Sequence, residues 1–126
     1  MRTLLSSKTA LWGAIIFYLV AGINHFVMPQ FYLQLTPDFL PYPALINQIA
    51  GVAEIMLAIG LVFIATRKIS AWLIVAMLLL FYLVHVGHLF KPPVALPYAV
   101  YIFRLFLQVF LIYWIVQVGK TKRVIV

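Results

Sequence analysis

The chain has 126 residues, which fits one domain. Hydrophobic residues make up 67% of it and charged residues 9%, a balance that the surface of a soluble domain of this size cannot carry, so the composition points to an integral membrane protein. Nine Lys and Arg against two acids give a net charge of +7, but the basic residues other than Arg104 stand at the ends of apolar runs, where anionic lipid and topology account for them and nucleic acid does not.

Four apolar runs cover 9–28, 44–66, 69–90 and 97–118. Each reaches the roughly 20 residues that a helix needs to cross a bilayer. In lipid the backbone must satisfy its own hydrogen bonds, which leaves helix as the state of such runs. The expected architecture is all-α: one domain over residues 1–126, an integral membrane four-helix bundle. Between the first two runs, 29–43 carries Pro29, Pro37, Pro41 and Pro43 and cannot be one regular helix. Phe31, Tyr32, Leu33, Leu35, Phe39, Leu40 and Tyr42 make it apolar for a loop. It reads as a flap on the membrane surface or folded over the helix ends. Pro92, Pro93 and Pro97 separate the last two runs.

Arg2 and Lys8 precede the first run, Arg67 and Lys68 stand between the second and third, and Lys120, Lys122 and Arg123 follow the fourth. The other two connections hold Lys91 and Asp38. With four spans, the basic segments share one side, which the positive-inside rule makes cytoplasmic, with both termini. A cleaved signal peptide is the rival reading of the first run, with Arg2 and Lys8 as its basic region. However, the run stays apolar to Met28 and has no clean A-x-A site. The expected location is multi-pass in a bacterial inner membrane.

His25, Glu54, His85, His88, Arg104 and Gln108 all fall in the outward half of these spans. At about 1.5 Å per residue, Glu54 lies roughly 15 Å, Arg104 roughly 10 Å and Gln108 roughly 16 Å below the outer helix ends. Helical spacing puts Asn47, Gly51, Glu54 and Ala58 on one face, Tyr101, Arg104 and Gln108 on another, and likewise Tyr82, His85 and His88, and Tyr18, Gly22 and His25. Gly51 and Ala58 are small enough to admit a neighbouring helix or a ligand. An ionised side chain at mid-membrane costs about 2.5–3.5 kcal/mol and turns toward a partner in the bundle. Glu54 with Arg104 is the expected pair. Gln108 also reads as an interhelical hydrogen bond, His25 as an interfacial imidazole, and His85/His88, at i and i+3, as a metal or haem ligand pair.

Ala21-Gly22-Ile23-Asn24-His25-Phe26 with Pro29 following, continued by Pro37, Leu40 and Pro41, resembles the opening A-G-x-x-H-F pattern of the DoxX-like family of membrane proteins. Gly51-Val52-Ala53-Glu54, then Gly60-Leu61, resembles its G-x-x-E segment, and Arg104 to Gln108 an R-x-x-x-Q motif of one subgroup. The third run departs: Leu83-Val84-His85-Val86-Gly87-His88 stands where that subgroup carries Pro-Ala-Asn. The resemblance implies a four-helix membrane bundle. Because relatives include a membrane subunit of thiosulfate:quinone oxidoreductase, it also implies a quinone-linked redox role.

Three functions fit these residues. The first is a pocket for a quinone or similar lipid-soluble compound, with His25, Glu54, His85, His88, Arg104, Gln108 and Tyr101 binding it or relaying protons. This chain has no cysteine and no dinucleotide fingerprint, so electrons would come from a soluble or membrane redox partner or from a bound cofactor. The second is a metal or haem site built from His25, His85, His88 and Glu54. The third is a non-enzymatic scaffold or assembly subunit. Four helices alone leave little room for a transporter's alternating access.

Overall fold

A computed structural model describes residues 2–93 and 95–125, the side chains of Arg2 and Thr3 excepted, so the part of Arg2 in the charge argument lies outside the description. The described residues form helices α1 (Arg2–Leu5), α2 (Lys8–Val27), α3 (Pro29–Leu33), α4 (Pro43–Val62), α5 (Ile64–Phe90) and α6 (Tyr98–Gly119), with no strand among them. Helices α2, α4, α5 and α6 are long and apolar enough to cross a membrane. The chain is a multi-pass, all-α membrane protein.

Local chemistry sets the helix ends. Ser7 caps α2, its Oγ accepting from the Ala10 amide at 3.1 Å. Pro29 restricts Met28 to non-helical backbone, ending α2, and then opens α3, where a missing N–H costs nothing. Pro43 opens α4 in the same way.

One boundary departs from the sequence reading. The second and third spans are separated at Phe63, not at Arg67-Lys68. Arg67 lies in the first turn of α5 and is 1% exposed. Its Nε donates to the Leu61 carbonyl at 2.7 Å and one terminal nitrogen to Val62 at 2.9 Å. The guanidinium thus takes up carbonyls that the end of α4 leaves open, where positive charge is also favoured by the helix dipole. Its other terminal nitrogen donates to the carbonyls of Thr121 and Arg123, each at 2.9 Å. A residue expected in a loop therefore ties α4, α5 and the C-terminal segment together.

Around the bundle, α2 packs on α4, α4 on α5 and α5 on α6. The fourth side, α6 against α2, is lightly joined. It is marked by Trp114, whose indole donates to the Ala10 carbonyl and whose ring meets Phe17 and Gly13. Both chain ends lie at the same end of the bundle, where Thr121 Oγ1 donates to the Ser6 carbonyl at 3.0 Å.

The bundle has two storeys. The apolar core, centred on Leu11, Ile15, Leu61, Ile74, Ile115 and Val118, fills the half nearest the termini. In the other half the buried positions include His25, Asn47, Glu54, His88 and Gln108. There α2 and α4 meet backbone to backbone: a methyl on Gly22 would lie 2.8 Å from the Gly51 carbonyl oxygen, and one on Gly51 2.8 Å from His25 Cβ. The small face expected around Gly51 admits a helix, and this close approach brings the polar residues of α2 and α4 together.

Candidate functional site

The tight α2–α4 crossing places His25 directly above Glu54, with His25 Nε2 and Glu54 Oε2 3.4 Å apart and both side chains buried. On the other edge of the imidazole, Nδ1 lies 2.6 Å from Asn47 Oδ1. The orientation of Asn47 is fixed, because its amide nitrogen donates to the His25 backbone carbonyl at 2.8 Å. Its oxygen therefore faces Nδ1, and Nδ1 must carry a hydrogen. Nε2 would then present a lone pair to a carboxylate oxygen unless one further proton resides on the pair. Imidazolium with carboxylate and imidazole with carboxylic acid both satisfy this. The geometry sets His25 and Glu54 side by side as a dyad able to hold one proton between them.

The loop roofs this dyad. Tyr32, on α3, stacks on the His25 ring with centroids 3.8 Å apart and planes at 20°, and Asn24 Nδ2 donates to its hydroxyl at 3.0 Å. The expected flap is folded over the helix ends. Beside it, a cavity of about 110 Å³ is lined by His25, Asn47, Pro29 and Leu33. Below, Tyr18 is buried on the same face of α2.

A second polar cluster occupies α5 and α6. His88 Nε2 donates to the Leu35 carbonyl at 3.0 Å, which leaves Nδ1 as an acceptor for an Arg104 N–H at 3.4 Å. Tyr101 is buried edge-on to His88, and His85 stands 6.2 Å from it between ring centroids. Gln108 Nε2 donates to the Leu78 carbonyl at 2.8 Å, an interhelical bond between α5 and α6.

The expected Glu54–Arg104 pair is not formed. Glu54 faces His25 on α2, and Arg104 meets His88 on α5. Helices α4 and α6 stand diagonally across the bundle, so their polar faces address different neighbours. Nor do the histidines and Glu54 form one ligand set: among the described residues no three His, Asp or Glu side chains converge as a metal ion needs, and both ring nitrogens of His88 are engaged. The face assignments do hold. Tyr18, Gly22 and His25 are buried together, as are Asn47, Gly51, Glu54 and Ala58, while Arg104 and His85 are half-buried. Asn47 and Tyr32, which complete the dyad, were not among the expected site residues. Asn47 was findable, since it shares the Glu54 face two turns away.

Three buried polar atoms have no hydrogen-bond partner among the described residues: Tyr18 Oη, Glu54 Oε2 and His85 Nδ1. The Glu54 contact to His25 is within ion-pair range but lacks hydrogen-bond alignment, so Oε2 can still accept. Each such atom costs about 1–3 kcal/mol if nothing satisfies it.

Residues 14–119 match the family described as a domain of unknown function (DUF8561), and the chain belongs to that family. No curated protein and no solved structure matches it.

Proposed function

We propose that this membrane protein binds a lipid-soluble carbonyl compound, of quinone type, in the half of the bundle beneath the Pro-rich loop, and exchanges a proton with it through His25 and Glu54. The observation that carries this reading is the set of unsatisfied buried atoms on the lines of Tyr18, Glu54 and His85. Such atoms persist where an outside group completes them. The DoxX-like resemblance of the motifs around Gly22, His25 and Glu54 supports the same reading.

A bound quinone supplies electron-accepting carbonyls. The chain's own part is to hold and move a proton. Asn47 fixes the imidazole, the dyad keeps one proton buried, and Tyr32 with the loop screens it from water. Arg104 and His85 can donate toward a carbonyl oxygen from the α5–α6 side. With no cysteine in the chain, electrons come from a redox partner protein or from a bound cofactor. The positive-inside rule puts the termini in the cytoplasm and the loop outside, as in a bacterial inner membrane.

Purified protein in mild detergent, titrated with a short-chain quinone, should show a saturable rise in thermal midpoint, lost in Glu54→Gln. Trp12, Trp72 and Trp114 all lie in the half nearest the termini, so their fluorescence is a poor reporter of this site. A wild-type midpoint that never responds to quinone overturns the reading. The scaffold alternative predicts instead that Glu54→Gln with Arg104→Met leaves fold and cellular phenotype intact. The observation in its favour is that Gln108 and His88 are already satisfied within the protein.

A further inference from the structure

The end of the bundle that holds the termini gathers positive charge that no acidic side chain offsets. Arg67 is buried there, and among the described residues its hydrogen-bond partners are carbonyl oxygens. Lys68, Lys120 and Lys122 surround it and are exposed. The two acidic side chains of the whole sequence, Asp38 and Glu54, are elsewhere: Asp38 pairs with Lys91 and Glu54 with His25, both in the loop-end half. No acidic side chain is left to neutralise this cluster.

The cluster is also shaped. Between α5, α6 and the segment after α6 runs a groove of about 590 Å³, open to the outside, within the range of sites that take small ligands. Lys68, Lys120 and Lys122 line its mouth over Arg67. Trp72 and Val75 continue it along α5. Helix α5 has 27 residues, about 40 Å at 1.5 Å per residue, against a hydrocarbon thickness of about 30 Å. The helix is long enough for its first turns, which carry Arg67 and Lys68, to reach headgroup level, and Trp72, 54% exposed, about one turn beyond Lys68, suits the interface where indoles anchor. The occupant must be anionic at one end and apolar at the other.

We infer that this groove binds one anionic phospholipid, its phosphate held among Lys68, Lys120 and Lys122 above the buried Arg67 charge, and an acyl chain laid along Trp72 and Val75. Each lysine acts as a point charge on the headgroup, and Arg67, already committed to carbonyls, supplies fixed positive potential from below. The inference is independent of any ligand in the opposite half.

Native mass spectrometry of the full chain, released from detergent doped with phosphatidylglycerol or phosphatidylcholine, tests this. Wild type should retain one phosphatidylglycerol in preference to phosphatidylcholine and gain thermal stability from it. Lys68→Gln/Lys120→Gln/Lys122→Gln should lower that retention about tenfold. Lys8→Gln/Lys91→Gln removes charge away from the groove and should retain the lipid as wild type does. Val116→Trp narrows the groove without changing charge and should also displace it. Equal retention of the two lipids overturns the inference, as does equal loss in the Lys8/Lys91 variant. Stabilisation by inorganic phosphate matching that by phosphatidylglycerol would identify a free anion instead and overturn the lipid assignment.

Discussion

At the scale of single residues, Asn47 determines what the His25–Glu54 pair can do. It accepts from one imidazole nitrogen and donates to the same residue's carbonyl, so the ring has one orientation and its Nε2 always addresses Glu54. Asn47→Leu removes both bonds inside a buried site. It should destabilise the protein by about 2–4 kcal/mol, the range for two lost bonds with partners left unsatisfied, read as a lower unfolding midpoint in detergent. Arg67→Met should cost about 3 kcal/mol or more, because the carbonyls of Leu61, Val62, Thr121 and Arg123 lose a charged donor together. Arg67→Lys should recover only part of this, since one ammonium cannot span carbonyls that the planar fork reaches at once. Both residues show what helical spacing conveys. The face on which Glu54 lies follows from a period of 3.6, whereas its partner depends on which helix stands opposite, and that is decided by packing. For Arg67, its place beside Lys68 between two apolar runs read as a loop, because a buried guanidinium reaching back to the preceding helix leaves no local pattern.

At the scale of elements, the crossing of α2 and α4 depends on two glycines that face each other. Gly22→Ala or Gly51→Ala puts a methyl within 2.8 Å of backbone or side-chain atoms of the other helix and should destabilise by about 1–3 kcal/mol, the cost of overpacking. It should also separate His25 from Glu54, so quinone-dependent stabilisation should fall in the same variants. Gly87 is the control. A methyl there meets nothing within 4 Å, and Gly87→Ala in α5 should leave the stability unchanged or raise it by up to about 1 kcal/mol through helix propensity. Chemical unfolding in mixed micelles measures all three. The spans themselves were legible from apolar runs, to within a residue or two for α2 and α6. The break at Phe63 was not, since neither glycine nor proline marks it. The loop's fold over His25 was legible only as a tendency, from prolines that forbid a helix and aromatics that resist water.

At the scale of the whole molecule, the two storeys give the protein a direction. Because the chain lacks cysteine, single cysteines report that direction cleanly. In intact cells Asp38→Cys should react with a membrane-impermeant maleimide, and Lys122→Cys should react only after lysis. The reverse pattern would invert the orientation and place the groove beside Trp72 in the outer leaflet. The uneven closure of the bundle has its own consequence. Three sides are zipped along paired helices, and the fourth is pinned near Trp114. A barrel of staves so fastened gapes first along its weakest seam. That seam looks onto acyl chains, so a visitor entering through it would arrive already dissolved in fat and never cross water to reach His25 and Glu54.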